Sequence, residues 1–235
     1  MQKTNNKFLI ATVAWKRPKI LQLFLDVNSK YCDILCVKSS GDKTLEKFKN
    51  SKNIFFINVP NSPLGKKLNS RIDWFLKNEN YTHIIFLGSD NIISPEIFDS
   101  IKNHSNKYDL ISWSDIYYYN FETSQASYSV GYTNHRKGEP LAPGRCVSRK
   151  LLNKLGYLWP NDIEKNPDIR AWQNKLSKVE NQIILNCKDV NGFIVDVKSK
   201  VNLNSYELVM SVKDNKRDIN LNDKIKLDKL IKNIF

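Results

Sequence analysis

The sequence has no long apolar run. Residues 8–15 are mostly apolar, but they are followed by Lys16, Arg17 and Pro18 without a small-residue cleavage site, as in a strand rather than a signal peptide. No stretch approaches the roughly 20 apolar residues that a membrane-spanning helix needs. These absences predict a soluble protein of the cytoplasm.

Cysteine is scarce, and its spacing excludes the usual zinc motifs. Cys32, Cys36, Cys146 and Cys187 are scattered, and none forms a paired C-x-x-C. A chain of 235 residues with 41% hydrophobic residues can bury a core without disulfides. We therefore expect one globular domain with reduced, structural thiols.

Acidic residues are in deficit. Asp and Glu number 24 against 37 Lys and Arg, which gives a formal charge of +13 and a pI near 9.5. Such an excess attracts anions, whether nucleotide, nucleic acid or acidic lipid. The alternative is a lysine-rich composition that only keeps the protein soluble.

Strand-like and helix-like segments alternate in the first hundred residues, which predicts an α/β fold with a parallel sheet and crossover helices. The predicted strands span residues 8–15, 33–38, 54–60, 83–87, 110–120, 128–132 and 192–197. The predicted helices span 18–30, 63–76, 95–101, 149–155, 168–179 and 223–235, with a short one through Leu45 and Phe48. Residues 138–145, with two prolines and two glycines, and residues 159–167 are predicted loops. No internal repeat or linker divides the chain.

Polar side chains directly after strands are the first functional candidates, because ligands of open α/β sheets bind beyond the carboxyl ends of the strands. Such side chains occur at residues 15–17, 39–42 and 89–91. Together they supply cations, hydroxyls and one carboxylate, a set suited to a nucleoside diphosphate with a divalent metal.

Residues 7–101 resemble the GT-A glycosyltransferases, in particular family-2-like enzymes and small single-domain bacteriophage glycosyltransferases. The shared order is a strand and a basic turn ending in Arg17-Pro18, a second strand ending in a turn, a third strand followed by residues 61–65 and a helix with Asn69, and an apolar strand ending in Gly-Ser-Asp-Asn. The resemblance implies a single GT-A domain: a Rossmann-like, mixed and mostly parallel sheet with helices on both faces. Residues 1–105 would bind the nucleotide-sugar donor, and residues 106–235 would form the acceptor-binding and catalytic half.

The resemblance also implies the donor and metal residues. Asp90 matches the second acid of the family's Asp-x-Asp motif, so that Asp90 and Asn91 would hold a divalent metal, Mn²⁺ or Mg²⁺. Gly88 stands where the first acid usually lies, which leaves one carboxylate. The predicted donor-binding residues are Thr12, Ala14, Arg17, Ser39, Lys66, Arg71, Ser89, Asp90 and Lys198. Solvent-exposed roles are the alternatives for Arg17, Lys66 and Arg71.

The catalytic base is expected in the second half. Inverting transfer needs a carboxylate that takes the acceptor proton. In the related enzymes an acid at the start of a helix, often followed by an arginine, has this role, and Asp168 before Arg170 matches best, with Asp162 as the second candidate. The alternative for Asp168 is a helix N-terminal acid that interacts with the macrodipole.

The acceptor is open at this stage. A basic surface with many aromatic residues in the second half could bind a nucleic acid, and the phage resemblance implies modified DNA bases, in the cytoplasm of the host. A polysaccharide or lipid-linked glycan is the rival acceptor, and the basic amphipathic segment 223–235 could lie on a membrane or dock on the core. A non-catalytic nucleotide- or nucleic-acid-binding module is the alternative to an enzyme.

Overall fold

A computed structural model describes residues 6–39, 51–200, 202, 205–211 and 216–232. Two sheets contain its strands: β1 (Phe8–Ala14), β2 (Asp33–Ser39), β3 (Ile54–Val59), β4 (His83–Phe86), β5 (Asn91–Ile93), β6 (Leu110–Trp113), β7 (Ile116–Asn120), β8 (Ala126–Ser129), β9 (Leu141–Ser148), β10 (Gln182–Leu185), β11 (Ile194–Lys198) and β12 (Lys216–Arg217). The helices are α1 (Pro18–Asn28), α2 (Leu64–Lys77), α3 (Pro95–His104), α4 (Arg149–Leu155), α5 (Pro167–Asn174), α6 (Tyr206–Ser211) and α7 (Leu221–Lys232).

The larger sheet has seven strands in the order β10-β6-β9-β4-β1-β2-β3. Its neighbours pair in parallel except β9, which runs antiparallel to both β4 and β6. The carboxyl ends of β1, β2 and β4 therefore meet at one edge, where Ala14, Ser39 and the residues after Phe86 lie.

The smaller sheet has five strands in the order β12-β8-β7-β11-β5. Strand β11 pairs in parallel with β7 and antiparallel with the short β5, with Asp196 opposite Asn91. Because β5 begins directly after Asp90, this pairing brings the C-terminal part of the chain to the end of β4.

Helices cover both faces of the larger sheet, as predicted. One apolar cluster packs α1, α3 and the smaller sheet on one face, and a second packs α2, α4 and α5 on the other. The alternation along β1 explains the division: Ile10 belongs to the first cluster, and Leu9 and Ala11 belong to the second. None of the helices within the described residues combines the length and apolar character needed to cross a bilayer.

The prediction of a loop at residues 138–145 is wrong, because residues 141–148 form the strand β9 between β4 and β6. Its pairing register with β6 shifts between Ile111 and Trp113, which marks a bulge. Gly144 has φ +77° and lies so close to Trp113 and Ile194 that a Cβ atom would clash with both. Proline and glycine mark a strand irregularity here rather than a loop.

Other segments also differ from the prediction, among them strand β12 and helix α6, which were not predicted. Residues 110–120 form two strands in different sheets, β6 and β7, separated at Ser114-Asp115. Strands β5 and β10 were not predicted, and the helix predicted over 168–179 ends at Asn174, before a 3-10 turn at Leu176–Lys178. The short helix predicted through Leu45 and Phe48 lies outside the described residues.

The C-terminal helix α7 docks on the core. Leu227 and Ile231 are buried in the first apolar cluster, and the Tyr119 hydroxyl donates to Asp228 Oδ1 at 2.8 Å. The amphipathic pattern is therefore explained by packing. Cys32, Cys36, Cys146 and Cys187 form no disulfide with one another.

Candidate active site

Asp90 lies just beyond β4, at the edge where the parallel strands end. Arg17, from the turn after β1, donates from Nη1 to Asp90 Oδ2 at 2.8 Å and from Nη2 to Ser89 Oγ at 3.0 Å. Pro18 starts α1 directly after Arg17, which fixes the point where the chain turns. Three predicted donor residues, Arg17, Ser89 and Asp90, thus form one cluster.

The C-terminal part of the chain contributes to the same cluster. Asn202 Nδ2 donates to Asp90 Oδ2 at 2.9 Å, and the backbone N–H of Val197 donates to the Asp90 carbonyl at 2.8 Å. Asp90 is therefore held from both halves of the chain.

Asp196 brings a second carboxylate close to Asp90. Its Oδ2 pairs with Lys198 Nζ at 2.7 Å, while its Oδ1 is buried without a hydrogen-bond partner among the described residues. Burial, and secondly the charge of Asp90, raise the pKa of Asp196 to about 6. The two carboxylates repel each other, and Lys198 and Arg17 offset part of that repulsion.

This donor set fits a hard divalent cation. Carboxylate oxygens are ligands that Mg²⁺ and Mn²⁺ prefer, and the Asp90 and Asp196 carboxylates lie close together here with Asp196 Oδ1 unpaired among the described residues. Asn202 presents its Nδ2 donor to Asp90, and its Oδ1 accepts from Ser199, so that side chain positions the carboxylate. No group of three or more His, Cys, Asp or Glu side chains placed to hold a metal ion occurs in the part of the chain that the structure describes.

A side chain at position 88 would crowd the turn that holds Asp90. A Cβ atom at Gly88 would lie 2.7 Å from Asn91 Oδ1 and 2.7 Å from Asp90 Oδ1. Asn91 Oδ1 accepts a hydrogen bond from the Gly88 N–H at 2.8 Å and so closes the turn. The Asn91 amide oxygen, predicted to be a metal ligand, is occupied by this backbone contact.

A buried lysine organises the ends of β1 and β2. Lys67 on α2 donates from Nζ to the Ala14 carbonyl at 3.0 Å, to Ser39 Oγ at 2.7 Å and to Asn61 Oδ1 at 3.1 Å. Ser39 in turn donates to Asn61 Oδ1 at 2.7 Å. Ala14 and Ser39, both predicted to bind the donor, thus lie on one hydrogen-bonded platform.

Two other predicted donor residues lie apart from these groups. Thr12 is fully buried in β1, and its hydroxyl has no hydrogen-bond partner within the described ranges. Lys66 is exposed and lines a separate cavity of about 380 Å³ beside Asn161.

A cavity of about 260 Å³ opens next to Asp90, between the ends of β1 and β4, the bulge of β9 and the start of α5. Gly88 and Asn91, the two neighbours of the Ser89-Asp90 pair, form part of its wall. Asp168 lines the same cavity from α5, whereas Asp162 is exposed in the preceding loop and does not line it. Of the two candidates for the base, the structure therefore places Asp168, and not Asp162, at this cavity.

Two buried arginines also line this cavity. Arg71 on α2 is 3% exposed and stacks over the Phe86 and Trp159 rings, with 4.8 Å to each centroid. Arg145 on β9 is 2% exposed. Burial lowers the pKa of both guanidinium groups, to about 9 for Arg71, and the charge of Asp168 opposes the shift in each.

The loop that precedes α5, the helix of the candidate base Asp168, is attached to α2. Asn69 Nδ2 donates to the Trp159 carbonyl at 2.7 Å and to Asn161 Oδ1 at 2.9 Å, and the Glu164 carboxylate accepts from the N–H of Leu64 at 3.2 Å at the helix start. Asn69, which the resemblance singled out, therefore positions the loop of residues 159–164 over the sheet edge.

Sequence reasoning did not single out Lys67, Arg145, Asp196 or Asn202 as site residues. Lys67 lies within a predicted helix, Asp196 within a predicted strand and Arg145 at the end of a predicted loop, but nothing in their local pattern separates them from other charged residues. Asn202 lies in a segment without a motif. Contacts near Asp90 identify Asp196 and Asn202, the cavity identifies Arg145, and the contacts to Ala14 and Ser39 identify Lys67.

Comparisons with known proteins show the fold. No protein-family model and no curated protein matches the sequence. Residues 1–349 of TarS from S. aureus share the fold at 16% identity and a TM-score of 0.56, over 97% of this chain and 71% of that chain. Rv0371c from Mycobacterium tuberculosis H37Rv aligns at 10% identity and a TM-score of 0.53, over 88% of this chain and 97% of its own.

These likenesses agree with the predicted GT-A architecture of a mixed, mostly parallel α/β domain. The TarS fragment has also been solved in complex with UDP-GlcNAc, where it aligns at 15% identity and a TM-score of 0.57 over 97% of this chain and 71% of that chain. Rv0371c has been solved in complex with manganese, with 10% identity and a TM-score of 0.51 over 88% of this chain and 98% of that chain.

Proposed function

We propose that this protein is a glycosyltransferase that moves a sugar from a nucleotide-sugar donor to an acceptor hydroxyl. The observation that carries the proposal is the cluster at the end of β4: Asp90, ion-paired with Arg17, stands beside the cavity that contains Asp168. A carboxylate with cations at one end of a cleft and a second carboxylate further in are the groups that such a transfer needs. The fold shared with a UDP-GlcNAc-binding protein supports a UDP-sugar as the first donor to test.

We assign the donor diphosphate to the edge formed by Arg17, Ser89 and Lys198. Arg17 and Lys198 would neutralise the charge that develops on the leaving diphosphate. Asp90 and Asp196 would hold a divalent cation, which when bound would neutralise the same leaving group. The platform of Lys67, Ser39 and Asn61 lies at the end of β2 and would contact the nucleoside.

We assign the role of general base to Asp168. It lines the cavity next to the diphosphate site, and its charge lies close enough to Arg71 and Arg145 to affect the pKa of both. With an acceptor hydroxyl in the cavity, Asp168 would take the proton as the hydroxyl oxygen attacks the anomeric carbon and the diphosphate leaves from the opposite face. This arrangement inverts the anomeric configuration.

The test is nucleotide release from UDP-, GDP-, CMP- and dTDP-sugars, with and without Mn²⁺. Each donor is measured without acceptor, with DNA that carries hydroxymethylated bases, and with a polysaccharide or lipid-linked glycan. Release that requires Asp90 supports the enzyme. Stimulation by the modified DNA would identify it as a DNA glycosyltransferase, and stimulation by the glycans would identify the rival acceptor class. Nucleotide binding without release from any donor would favour the non-catalytic module.

A further inference from the structure

The cavity beside Asp90 contains more positive charge than the described residues neutralise. Arg71 and Arg145 both reach it, and Asp168 is the carboxylate that lines it with them. No ion pair joins either guanidinium group to a carboxylate in the described part of the chain. The three groups leave one positive charge in excess.

Of the two arginines, Arg145 has fewer of its N–H groups hydrogen-bonded within the protein. Its Nε is buried without a partner among the described residues, and its Nη2 makes one long contact of 3.5 Å to the Leu141 carbonyl. Its guanidinium carbon lies 5.9 Å from the centroid of the Trp172 ring. A guanidinium group has five N–H donors. Leaving buried donors without acceptors costs free energy, which a bound anion would recover by accepting their hydrogen bonds.

Arg71, in contrast, is held in place by hydrogen bonds and ring contacts within the protein. Its Nε donates to the Leu68 carbonyl at 3.0 Å and its Nη1 to the Ala11 carbonyl at 3.4 Å, while Phe86 and Trp159 stack on its plane. These contacts fix Arg71 as a rigid cation in the wall. Arg145 supplies the free donors and Arg71 adds charge.

The bulge in β9 places Arg145 in the wall. Ala142 and Pro143, on the bulged segment, line the cavity with it, and the register shift next to Gly144 breaks the regular pairing of the strand. A bulge is the usual device that redirects a side chain at the edge of a site.

We infer that the cavity recognises a carboxylate or phosphate group carried by one of the two sugar substrates, through the Arg145 fork and the fixed charge of Arg71. This inference rests on the proposed function. Arg17, Ser89 and Lys198, to which we assign the donor diphosphate, do not line this cavity, so the anionic group is on the sugar part of a substrate. The transferred sugar would be a uronic acid, or the acceptor would be a phosphorylated or acidic sugar.

The donor arm compares UDP-glucuronate with UDP-glucose, which differ in the sugar carboxylate. Binding is measured by calorimetry on the wild type, Arg145→Gln, Arg145→Lys and the exposed control Lys178→Gln, with circular dichroism as the check on folding. In this arm the wild type binds UDP-glucuronate at least about tenfold more tightly, as expected for a charge-assisted pair. Arg145→Gln abolishes the preference, Arg145→Lys restores part of it because the charge remains without the planar fork, and Lys178→Gln keeps it.

The acceptor arm compares glucose 6-phosphate with glucose on UDP-loaded protein, using the same variants. A preference for the phosphate that depends on Arg145 assigns the anion to the acceptor. If neither arm shows a charge preference while UDP-sugars bind, the inference is overturned and the proposed function stands. Glucose 6-phosphate is also tested without UDP. If it binds through Arg145 to protein that binds neither UDP nor any UDP-sugar, the anion site stands and the proposed function fails.

Discussion

Arg17 and Asp90 are 73 residues apart in the chain, and their side chains form an ion pair of 2.8 Å at the edge of the larger sheet. Asn202, from the far end of the chain, donates to the same carboxylate oxygen. Asp90 is thus the point at which three separate segments meet.

Replacing Asp90 should abolish donor turnover. In Asp90→Ala, Arg17 and Asn202 lose their shared acceptor and any bound metal loses a ligand, so we expect nucleotide release to fall at least about 100-fold. The control is Asp99→Ala, which removes an exposed carboxylate of α3 and should leave the rate unchanged. Normal release by the Asp90 variant would remove Asp90 from the mechanism.

The Asp168→Asn variant should separate donor binding from transfer. The amide keeps the shape of the side chain but cannot take a proton, so we expect kcat for transfer to fall about 10²- to 10⁴-fold with an unchanged donor Kd. The matched variant Asp162→Asn, in the exposed loop, should transfer normally. The opposite result for the two variants would move the base to Asp162.

The Gly88→Ala substitution should displace the Asp90 side chain while leaving its charge unchanged. The added methyl would lie 2.7 Å from Asp90 Oδ1 and 2.7 Å from Asn91 Oδ1, so these side chains must shift, which disturbs the contacts of Asp90 Oδ2 with Arg17 and Asn202. We expect weaker donor binding and a lower turnover, measured as Kd and kcat. Full activity would show that the turn tolerates a side chain at position 88.

Arg145→Met should separate stability from ligand binding. Arg145→Met replaces a buried charge that has no ion-pair partner among the described residues with an apolar side chain of similar length, so the desolvation cost of that charge disappears. We expect the Tm in calorimetry to stay the same or rise by several degrees. A clear fall in Tm would show that Arg145 holds the fold together, as a merely structural residue would.

His83 should make the fold sensitive to acid. Burial lowers the pKa of His83 to about 4, below the value of 6.5 expected in the unfolded chain. The unfolded state therefore binds the proton first, and stability is lost as the pH falls from 6.5 towards 4, by about 3 kcal/mol in total. Above pH 6.5, His83 does not make the free energy of unfolding depend on pH.

The measurement is the free energy of unfolding of the wild type and His83→Gln at pH 7, 6, 5 and 4.5. The difference between the two proteins should change steadily below pH 6.5. Asp196, whose pKa is raised, contributes a slope of the opposite sign, but it is present in both proteins and cancels. Parallel stability curves would contradict the assignment to His83.

Local patterns in the sequence determined much of the donor half. Pro18, Pro63 and Pro95 mark helix starts, and the apolar strands 8–14, 33–39 and 83–86 were predicted because buried parallel strands are continuous apolar runs. Since such strands end at one edge, Arg17, Ser39 and Asp90 could be assigned to a shared edge before their contacts were known.

The tertiary structure decided what depends on distant residues. Whether Pro143 and Gly144 make a loop or a strand bulge depends on β4 and β6, which flank them, and the burial of Arg71 depends on Phe86 and Trp159. Asp196 and Asn202 reach Asp90 because β11 pairs with a three-residue strand that propensity does not signal. Periodicity reports which side of an element is apolar, but only long-range pairing determines which charged groups meet.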